Sequence, residues 1–213
     1  MAFVFRLISL GRLGLCVALL MLVPAGAFAQ PIQSPIPPDA KVVQIGSFPF
    51  PSKIAGLSRT LKTDYRSAAL GFSVRYMGID DTWADIYIYD REQNLASGSA
   101  LAHAKAELAS TLGDIDAGVS RGSYESARVV DRSQDETFAK ARLKIAQAGK
   151  TRDSYVFITV RHENFVKIRL TSGDRKYADR IAQGFLEEYS QLLGKTGERG
   201  RLNMRRLLFA IRF

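Results

Sequence analysis

The sequence predicts an α+β domain, with an antiparallel sheet of about six strands and with a C-terminal amphipathic helix and one central helix packed on it. Residues 155–160 and 165–171 are two runs rich in β-branched and aromatic residues, and four polar residues separate them. This pattern is typical of a β-hairpin, and an amphipathic helix pattern follows it directly. The other strand-like segments neighbour one another along the chain without a repeated βα unit, which favours antiparallel pairing.

The C-terminal hairpin and helix are predicted to pack together at the centre of the domain. On the second arm of the hairpin, Val166, Ile168 and Leu170 alternate with other positions, as on a sheet with one buried face. The helix is predicted to begin near Asp174, whose side chain can accept hydrogen bonds from backbone N–H groups, and to end at Gly194. Its apolar residues recur at intervals of three and four: Tyr177, Ala178, Ile181, Ala182, Phe185, Tyr189 and Leu192.

Earlier segments supply the remaining elements. Strand-like segments lie at 71–77, 84–89, 125–131 and 138–145. Alanine and leucine at helical spacing predict the central helix from about Ser99 to Leu112, ended by Gly113. Residues 41–51 are interpreted as an edge strand or a covering loop, because two short apolar groups there are interrupted by prolines.

The first 29 residues are interpreted as a cleavable signal peptide. Arg6 and Arg12 precede an apolar run at 13–23, and Ala27-Phe28-Ala29 forms an A-x-A cleavage site. The alternatives are a retained membrane anchor, for which the run is short, and a lipoprotein modified at Cys16. Cleavage near Ala29 places the mature protein in the periplasm or outside the cell. It also removes the one cysteine of the chain, and with it disulfide and thiolate chemistry.

The rest of the chain is divided into a proline-rich tether (30–40), a single α+β domain (41–194) and a basic, hydrophobic tail (195–213). Without Arg6 and Arg12, the mature chain has 28 basic and 21 acidic residues, a net charge of +7. The tail holds six basic residues and one acidic residue, so it carries +5 of that charge. The folded part is close to neutral, and a nucleic-acid partner is therefore not expected.

The tail is predicted to contact an anionic membrane surface, because arginines alternate there with apolar residues. The candidate residues for this contact are Arg199, Arg201, Arg205, Arg206, Phe209, Arg212 and Phe213. A disordered basic tail is the alternative, since the apolar residues do not fall cleanly on one helical face.

Residues 118–122 match the G-x-S-x-G pattern of serine hydrolases, with Ser120 as the nucleophile and His162 as the base. That chemistry needs the serine on a sharp turn from a strand to a helix. In this chain a helix is predicted before the serine and a strand after it, within a turn-rich passage at 114–122. No catalytic residue is therefore assigned, and a hydrolase using Ser120 and His162 remains the alternative.

No metal or cofactor is predicted. Asp114 and Asp116 lie two residues apart beside a glycine, as in a calcium-binding loop, but the further oxygen ligand and the bidentate glutamate are missing at the required offsets. The two histidines of the chain are far apart in sequence and lack metal-ligand spacing.

Four aromatic residues on the two predicted neighbouring strands are candidates for a ligand-binding cleft. They are Tyr76, Trp83, Tyr87 and Tyr89. Aromatic residues in strands are more often core or cross-strand partners, so both placements are considered.

Residues 154–193 resemble the end of PsbP-like domains, with a hydrophobic strand, a tight turn, the strand Phe165-Val166-Lys167-Ile168-Arg169-Leu170-Thr171 and a terminal amphipathic helix. These are small exported or organellar α+β domains related to extrinsic photosystem proteins. The resemblance implies a binding or assembly-accessory protein, not an enzyme. The sequence thus predicts an exported, non-catalytic domain with a protein or small ligand as its partner, or alternatively a structural subunit attached to the cell envelope by its tail.

Overall fold

The computed structural model of the chain describes residues 30–174 and 176–210, with side chains as far as residue 194. The predicted signal peptide lies outside the described residues. The strands are β1 (Ile32–Pro35), β2 (Val42–Ile45), β3 (Phe48–Pro51), β4 (Lys53–Ile54), β5 (Leu57–Asp64), β6 (Phe72–Met77), β7 (Trp83–Tyr89), β8 (Ser126–Gln134), β9 (Ala139–Gln147), β10 (Lys150–Arg161) and β11 (Asn164–Ser172). The helices are α1 (Ala100–Ser120) and α2 (Ala178–Ala210).

One antiparallel sheet of nine strands organises the fold. Its order is β1-β5-β6-β7-β11-β10-β9-β8, and β4 pairs with one end of β5. The predicted hairpin is present as β10 and β11, with Phe157 opposite Ile168. At its turn, His162 and Glu163 have φ angles of 49° and 58°, the left-handed backbone typical of tight two-residue hairpin loops.

The α+β class is as predicted, but the sheet has nine strands and not about six. The additional strands include β1, β4 and β5, whose sequences are largely polar and show little apolar alternation. β1 lies within the segment interpreted as an unpaired tether and pairs with β5 at the edge of the sheet. Prolines are tolerated there, because an edge strand has one side free of ladder hydrogen bonds.

Residues 41–51 form a covering hairpin of β2 and β3, paired apart from the main sheet. Phe48 and Phe50 on β3 are buried against the main core. The buried side chain of Arg59 holds this segment in place, because its guanidinium donates to the carbonyl oxygens of Phe50, Pro37 (2.9 Å) and Ala40 (2.8 Å). The segment covers the core, as a covering loop would, but it is a two-stranded hairpin and not an edge strand of the main sheet.

Both helices are longer than predicted, because glycine alone does not end a helix. α1 begins close to the predicted start, with Ser99 as its N-cap, where the Ser99 hydroxyl accepts from the N–H of Ala102, and it continues through Gly113 to Ser120. Its buried side extends beyond Gly113 to Ile115 and Gly118. The left-handed residue after this helix is Gly122, with a φ of 74°.

α2 likewise continues past Gly194 to Ala210. Its N-terminus is as predicted, because the Asp174 carboxylate accepts from the backbone N–H groups of Lys176 (2.9 Å) and Tyr177 (3.2 Å). An interior glycine costs a helix only about 1 kcal/mol, and the residues that follow include several good helix formers. Neither helix in the described part of the chain is long and apolar enough to cross a membrane.

The two helices lie on opposite faces of the sheet and define two cores. Even-numbered residues of β7 and β11, such as Ile86 and Ile168, face α2 together with Phe185 and Tyr189. Even-numbered residues of β10, such as Val156 and Ile158, face α1 together with Leu108 and Ile115. The α2 face is apolar over most of its area, whereas α1 covers only part of the other face.

Candidate functional site

A cleft opens beside α1, on the part of the sheet that this helix leaves uncovered. α1 packs on β8, β9 and β10 and covers Tyr89 and Phe165 at the ends of β7 and β11, so most of the same face of β6, β7 and β11 is open. There the alternation of the strands brings polar and aromatic side chains to the surface, among them Arg75, Trp83, Tyr87, Lys167 and Arg169. This part of the sheet face is therefore lined by polar and aromatic side chains, unlike the part that α1 covers.

The cleft has two lobes that meet at Tyr87, Tyr124 and Arg169. The outer lobe has a volume of about 230 Å³ and is also lined by Arg75, Trp83, Asp85, Arg152 and Thr171. The inner lobe has a volume of about 230 Å³ and lies between the sheet and the end of α1, with Lys167, Thr111, Asp114, Arg121 and Ser123 in its walls. Each lobe has room for a small ligand and not for a folded partner.

The register of the sheet aligns Arg75, Asp85 and Arg169 across three strands, because Asp85 lies opposite Arg75 on one side and opposite Arg169 on the other. Arg75 binds Asp85 through two hydrogen bonds, Nε to Oδ1 (2.7 Å) and Nη2 to Oδ2 (2.9 Å). This bidentate pair occupies the carboxylate of the buried Asp85. Arg169 packs on the ring of Tyr124, with 5.4 Å between Cζ and the ring centroid, and among the described side chains no carboxylate pairs with it.

Arg152 closes the other side of the outer lobe. Its guanidinium lies over the ring of Trp83, 5.5 Å from the centroid, and Nη2 donates to Asp81 Oδ2 at 3.0 Å. Lys150 and Arg152 together hold the pKa of Asp81 below its usual value. The Nε of Arg152 is buried without a hydrogen-bond acceptor among the described residues. The guanidinium thus keeps one unsatisfied donor at the edge of the lobe.

Lys167 supplies the cation of the inner lobe. Its Nζ lies 4.9 Å from the centroid of Tyr87 and 5.0 Å from that of Tyr89. Burial lowers the pKa of Lys167 to about 8, because the charged amine loses contact with water. Burial also raises the pKa of Tyr87. The phenol groups of Tyr87 and Tyr89 therefore stay neutral at physiological pH and do not compensate the positive charges of the cleft.

The four aromatic candidates divide into two pairs. Trp83 and Tyr87 line the outer lobe. Tyr76 is buried in the α2 face, where its hydroxyl donates to the carbonyl of Pro51 (2.9 Å) and its ring meets Phe185 edge-on. Tyr89 is buried under α1 and donates to Glu107 Oε1 (2.7 Å). Trp83 and Tyr87 therefore lie in the cleft, whereas Tyr76 and Tyr89 lie in the two cores.

Sequence reasoning missed the cations that line the cleft, among them Arg152, Lys167 and Arg169. Lys167 and Arg169 lie at alternating positions of a strand, where a charged residue is usually a solvated one. Their cross-strand neighbours are Tyr87 and Asp85, and that pairing depends on a register between segments about eighty residues apart. The one available signal was that both cations share a predicted sheet with several strand aromatics.

Ser120 and His162 are not brought together. Ser120 is the last residue of α1, and its hydroxyl donates to the carbonyl of Asp116, one turn earlier. His162 is exposed at the turn between β10 and β11, and its ring contacts Phe48 edge-on, with 5.6 Å between ring centroids; Phe48 belongs to the core on the α2 face. The sheet therefore separates the two side chains. The passage predicted as turn-rich is the end of a helix, not a strand-to-helix turn.

The calcium-like pair lies in a helix. Asp114 and Asp116 are part of α1, and helical residues two apart point in different directions. Asp114 instead pairs with Arg91, at 3.5 Å. Among the described residues, no three acidic, histidine or cysteine side chains gather as metal ligands would.

The membrane-surface candidates lie where backbone alone is described, or beyond. Residues 199–209 are part of α2, and their side chains are outside the described set. Arg212 and Phe213 lie outside the described residues altogether. Contact of the tail with a membrane surface stays a prediction.

Comparisons with known proteins give a likeness of fold. No protein-family model matches the chain, and no curated protein sequence matches it. The chain is similar to the solution structure of cyanobacterial PsbP from Synechocystis sp. PCC 6803, with 11% sequence identity, 79% of this chain and 94% of that chain covered, and a TM-score of 0.42. That protein is a PsbP, the kind of protein that residues 154–193 resemble in sequence pattern. At this identity and TM-score, the likeness concerns the fold alone.

Proposed function

We propose that the chain is an exported, non-catalytic binding domain whose cleft takes a small anionic ligand, a carboxylate or a phosphate. The observation that carries this proposal is Arg169, a half-buried guanidinium that packs on Tyr124 and faces the cleft without a carboxylate partner among the described side chains. A guanidinium in this setting offers a planar pair of donors, which match the geometry of a carboxylate or a phosphate.

The charge of the cleft supports the same ligand class. Arg152, Lys167 and Arg169 face it as cations, while its buried carboxylate, Asp85, is already bound by Arg75. A half-buried cation is poorly hydrated, so an incoming anion gains more from the contact than it would at an exposed site. The half-buried cation therefore has little hydration left to lose on binding, and the ligand would be recognised mainly by charge.

A binding role fits the side chains better than a catalytic one. Ser120 and His162 lie on opposite faces of the sheet, as described above. Within the cleft, the Asp85 carboxylate is held by two hydrogen bonds from Arg75, and the Asp114 carboxylate pairs with Arg91 at 3.5 Å. A carboxylate acting as a general base would have to be free to exchange a proton with the substrate.

Trp83 offers a direct test, because it is the one tryptophan of the chain and lines the outer lobe. Titration of the mature protein with sodium benzoate, and separately with inorganic phosphate, should change its fluorescence in a saturable way. Arg169→Met should weaken the binding about tenfold or more, because a charge-assisted hydrogen bond is lost.

The matched control is Arg180→Met. Arg180 also packs on a tyrosine ring, 4.4 Å from the centroid of Tyr177, but it lies outside the cleft. It should leave the titration unchanged. The proposal fails if neither anion changes the fluorescence, or if the two variants lose affinity equally, which would indicate a general effect of net charge.

Export is the second part of the proposal, and it rests on residues 1–29. Expression of the full chain in a bacterium should give a periplasmic protein whose N-terminus is Gln30, as intact-mass measurement would show. An Ala29→Arg variant should block this cleavage, because the site requires a small residue. Recovery of the uncleaved chain from the membrane fraction would instead indicate an anchor.

Attachment of the tail to an anionic membrane is a second candidate function, favoured by its charge of +5. The mature protein, with and without residues 195–213, would be co-sedimented with anionic and with neutral vesicles at low and high salt. Binding should require the tail and the anionic lipid, and should fall with salt. Equal sedimentation of the two forms would rule out this role of the tail.

A further inference from the structure

Lys167 occupies an unusual position for a lysine on a sheet. Its strand position lies opposite Tyr87 on β7 and Ile158 on β10. The aliphatic part of its side chain therefore crosses an apolar and aromatic surface, and Nζ ends between the rings of Tyr87 and Tyr89. The amine borders the inner lobe, under the last turns of α1.

The amine has neither an ion pair nor a hydrogen bond among the described side chains. The two carboxylates that α1 presents nearby are Glu107 and Asp114, and both are bound by Arg91, at 2.8 Å and 3.5 Å. The other charged groups facing the lobe are cations, Arg121 and Arg169. The charged form of Lys167 thus lies against the faces of two rings, and it is favoured by Glu107 and Asp114 but disfavoured by Arg91 and Arg169.

An amine in such a site is a better nucleophile than an ordinary lysine, because only the neutral amine has a lone pair to donate. Burial lowers the pKa of Lys167 to about 8, while Glu107 raises it and Arg91 lowers it. With such a pKa, roughly a quarter of the amine is neutral at pH 7.5, against about one part in a thousand for an exposed lysine.

We propose that Lys167 is a modification site, at which the amine forms a reversible imine with small aldehydes that carry a phosphate or carboxylate. The anionic group lies against Arg169 and Arg121, and the carbonyl carbon meets Nζ in the inner lobe. This inference rests on the proposed function in so far as Arg169 binds the anion. It adds a covalent step that the proposed function does not require.

The step balances without an oxidant or a metal. The Nζ lone pair forms a bond to the carbonyl carbon, and the π electrons of the carbonyl move to its oxygen. A proton passes from nitrogen to that oxygen and gives a carbinolamine. Loss of water removes the oxygen with both hydrogens of the former amine, and the nitrogen lone pair forms the C=N bond. Water reverses the reaction.

Pyridoxal 5′-phosphate is the probe for this inference, and pyridoxine 5′-phosphate is its non-reactive match, with an alcohol in place of the aldehyde. After incubation of the mature protein with the aldehyde and reduction with borohydride, peptide mass mapping should place the label on Lys167. Its label should exceed that on the exposed Lys150 by roughly tenfold or more, as the difference in neutral fraction requires. Labelling should reach half its maximal rate near pH 8.

Lys167→Arg should abolish that label, and Lys150→Arg should leave it unchanged. The inference would be overturned if the label were distributed evenly over the lysines, or if the total label on the protein were the same in Lys167→Arg as in the wild type.

The proposed function is judged separately by the binding of pyridoxine 5′-phosphate, measured by Trp83 fluorescence. If this alcohol binds in an Arg169-dependent way while Lys167 stays unlabelled, anion binding stands and the imine fails. If pyridoxal without phosphate labels Lys167 equally well, the nucleophile stands and the anion-binding role of Arg169 fails.

Discussion

The two faces of the sheet use the same strands for different purposes. On β7 and β11, Ile86 and Ile168 point to the face covered by α2, and Asp85 and Arg169 point to the face beside α1. The first face is an apolar core with fully buried aromatic rings. The second face is apolar only beneath α1 and carries cations on aromatic rings elsewhere.

The two faces of the sheet contribute differently to the stability of the fold. Burial of apolar side chains drives folding, so the α2 face accounts for much of the stability. Half-buried cations without partners oppose it, because their charged forms lose hydration. Residues that cost stability and still face a cleft are typical of functional sites. The comparison predicts that substitutions on the two faces have opposite consequences for stability and binding.

The largest effect is expected on the α2 face. Phe185 is fully buried and contacts Tyr76 edge-on, with 5.5 Å between centroids. Phe185→Ala should lower the free energy of unfolding by about 3–5 kcal/mol, because it removes buried area and leaves a cavity. Urea denaturation followed by Trp83 fluorescence measures this. A loss below about 1 kcal/mol would mean that the α2 face is not the main core.

A smaller loss is expected beneath α1, at the buried Glu107. Its carboxylate accepts from Tyr89 (2.7 Å) and pairs with Arg91 (2.8 Å). Glu107→Gln should cost about 2 kcal/mol, because Arg91 then lacks the charge it pairs with. Glu187→Gln, at an exposed position of α2, is the control and should leave stability unchanged. Equal effects of the two substitutions would contradict the network assigned to Glu107.

Lys167 should reduce stability in a pH-dependent way. Its pKa is lowered to about 8 in the folded state from an ordinary value of 10.5. The unfolded state therefore binds more protons between these values, and stability rises with pH across that window. Relative to Lys167→Met, the wild type should gain about 1–2 kcal/mol from pH 8 to pH 10.5, less than the full shift implies because the side chain is half-buried.

Urea denaturation of both proteins at several pH values tests this prediction. Deprotonation of the buried tyrosines affects both proteins alike and cancels in the difference. A difference that stays constant between pH 8 and pH 10.5 would show that Lys167 titrates as an ordinary surface lysine. The inner lobe would then lack the neutral amine that the imine requires.

The smallest effect is expected from the tail. Among the described side chains of α2, the buried positions end at Leu193. Deletion of residues 199–213 should therefore change the free energy of unfolding by less than about 1 kcal/mol. A larger loss would show that the end of α2 packs on the domain, and the membrane-surface interpretation of the tail would then be withdrawn.

The sequence predicted those parts of the fold that local patterns determine. The β10–β11 hairpin follows from alternation, the start of α1 near Ser99 follows from the helical spacing of its apolar residues, and the start of α2 near Asp174 follows from capping chemistry. β1 and β5 were missed because they are polar, and their pairing depends on the rest of the sheet. The C-terminal ends of both helices were predicted too early in the sequence, because glycine was expected to end a helix. The backbone at Gly113 and Gly194 is helical.

The candidate site was predictable only in part, for a similar reason. Trp83 and Tyr87 were identified as cleft candidates from their residue types. Arg169 is identified as a site residue only from the register of the sheet. That register places it opposite Asp85, whose carboxylate Arg75 already binds. Whether a cation on a strand is solvated or unpartnered in a cleft depends on such long-range pairing, and no local pattern carries that information.

One measurement tests the division between the two faces most directly, the stabilisation of the mature protein by benzoate. Urea denaturation, followed by Trp83 fluorescence, is carried out with and without benzoate on the wild type, Arg169→Met and Arg180→Met. At about ten times its dissociation constant, a ligand that binds only the folded state adds about 1.4 kcal/mol. The account predicts this gain for the wild type and Arg180→Met and its absence for Arg169→Met. Equal gains in all three proteins, or no gain in any, would contradict the assignment of anion binding to the cleft beside α1.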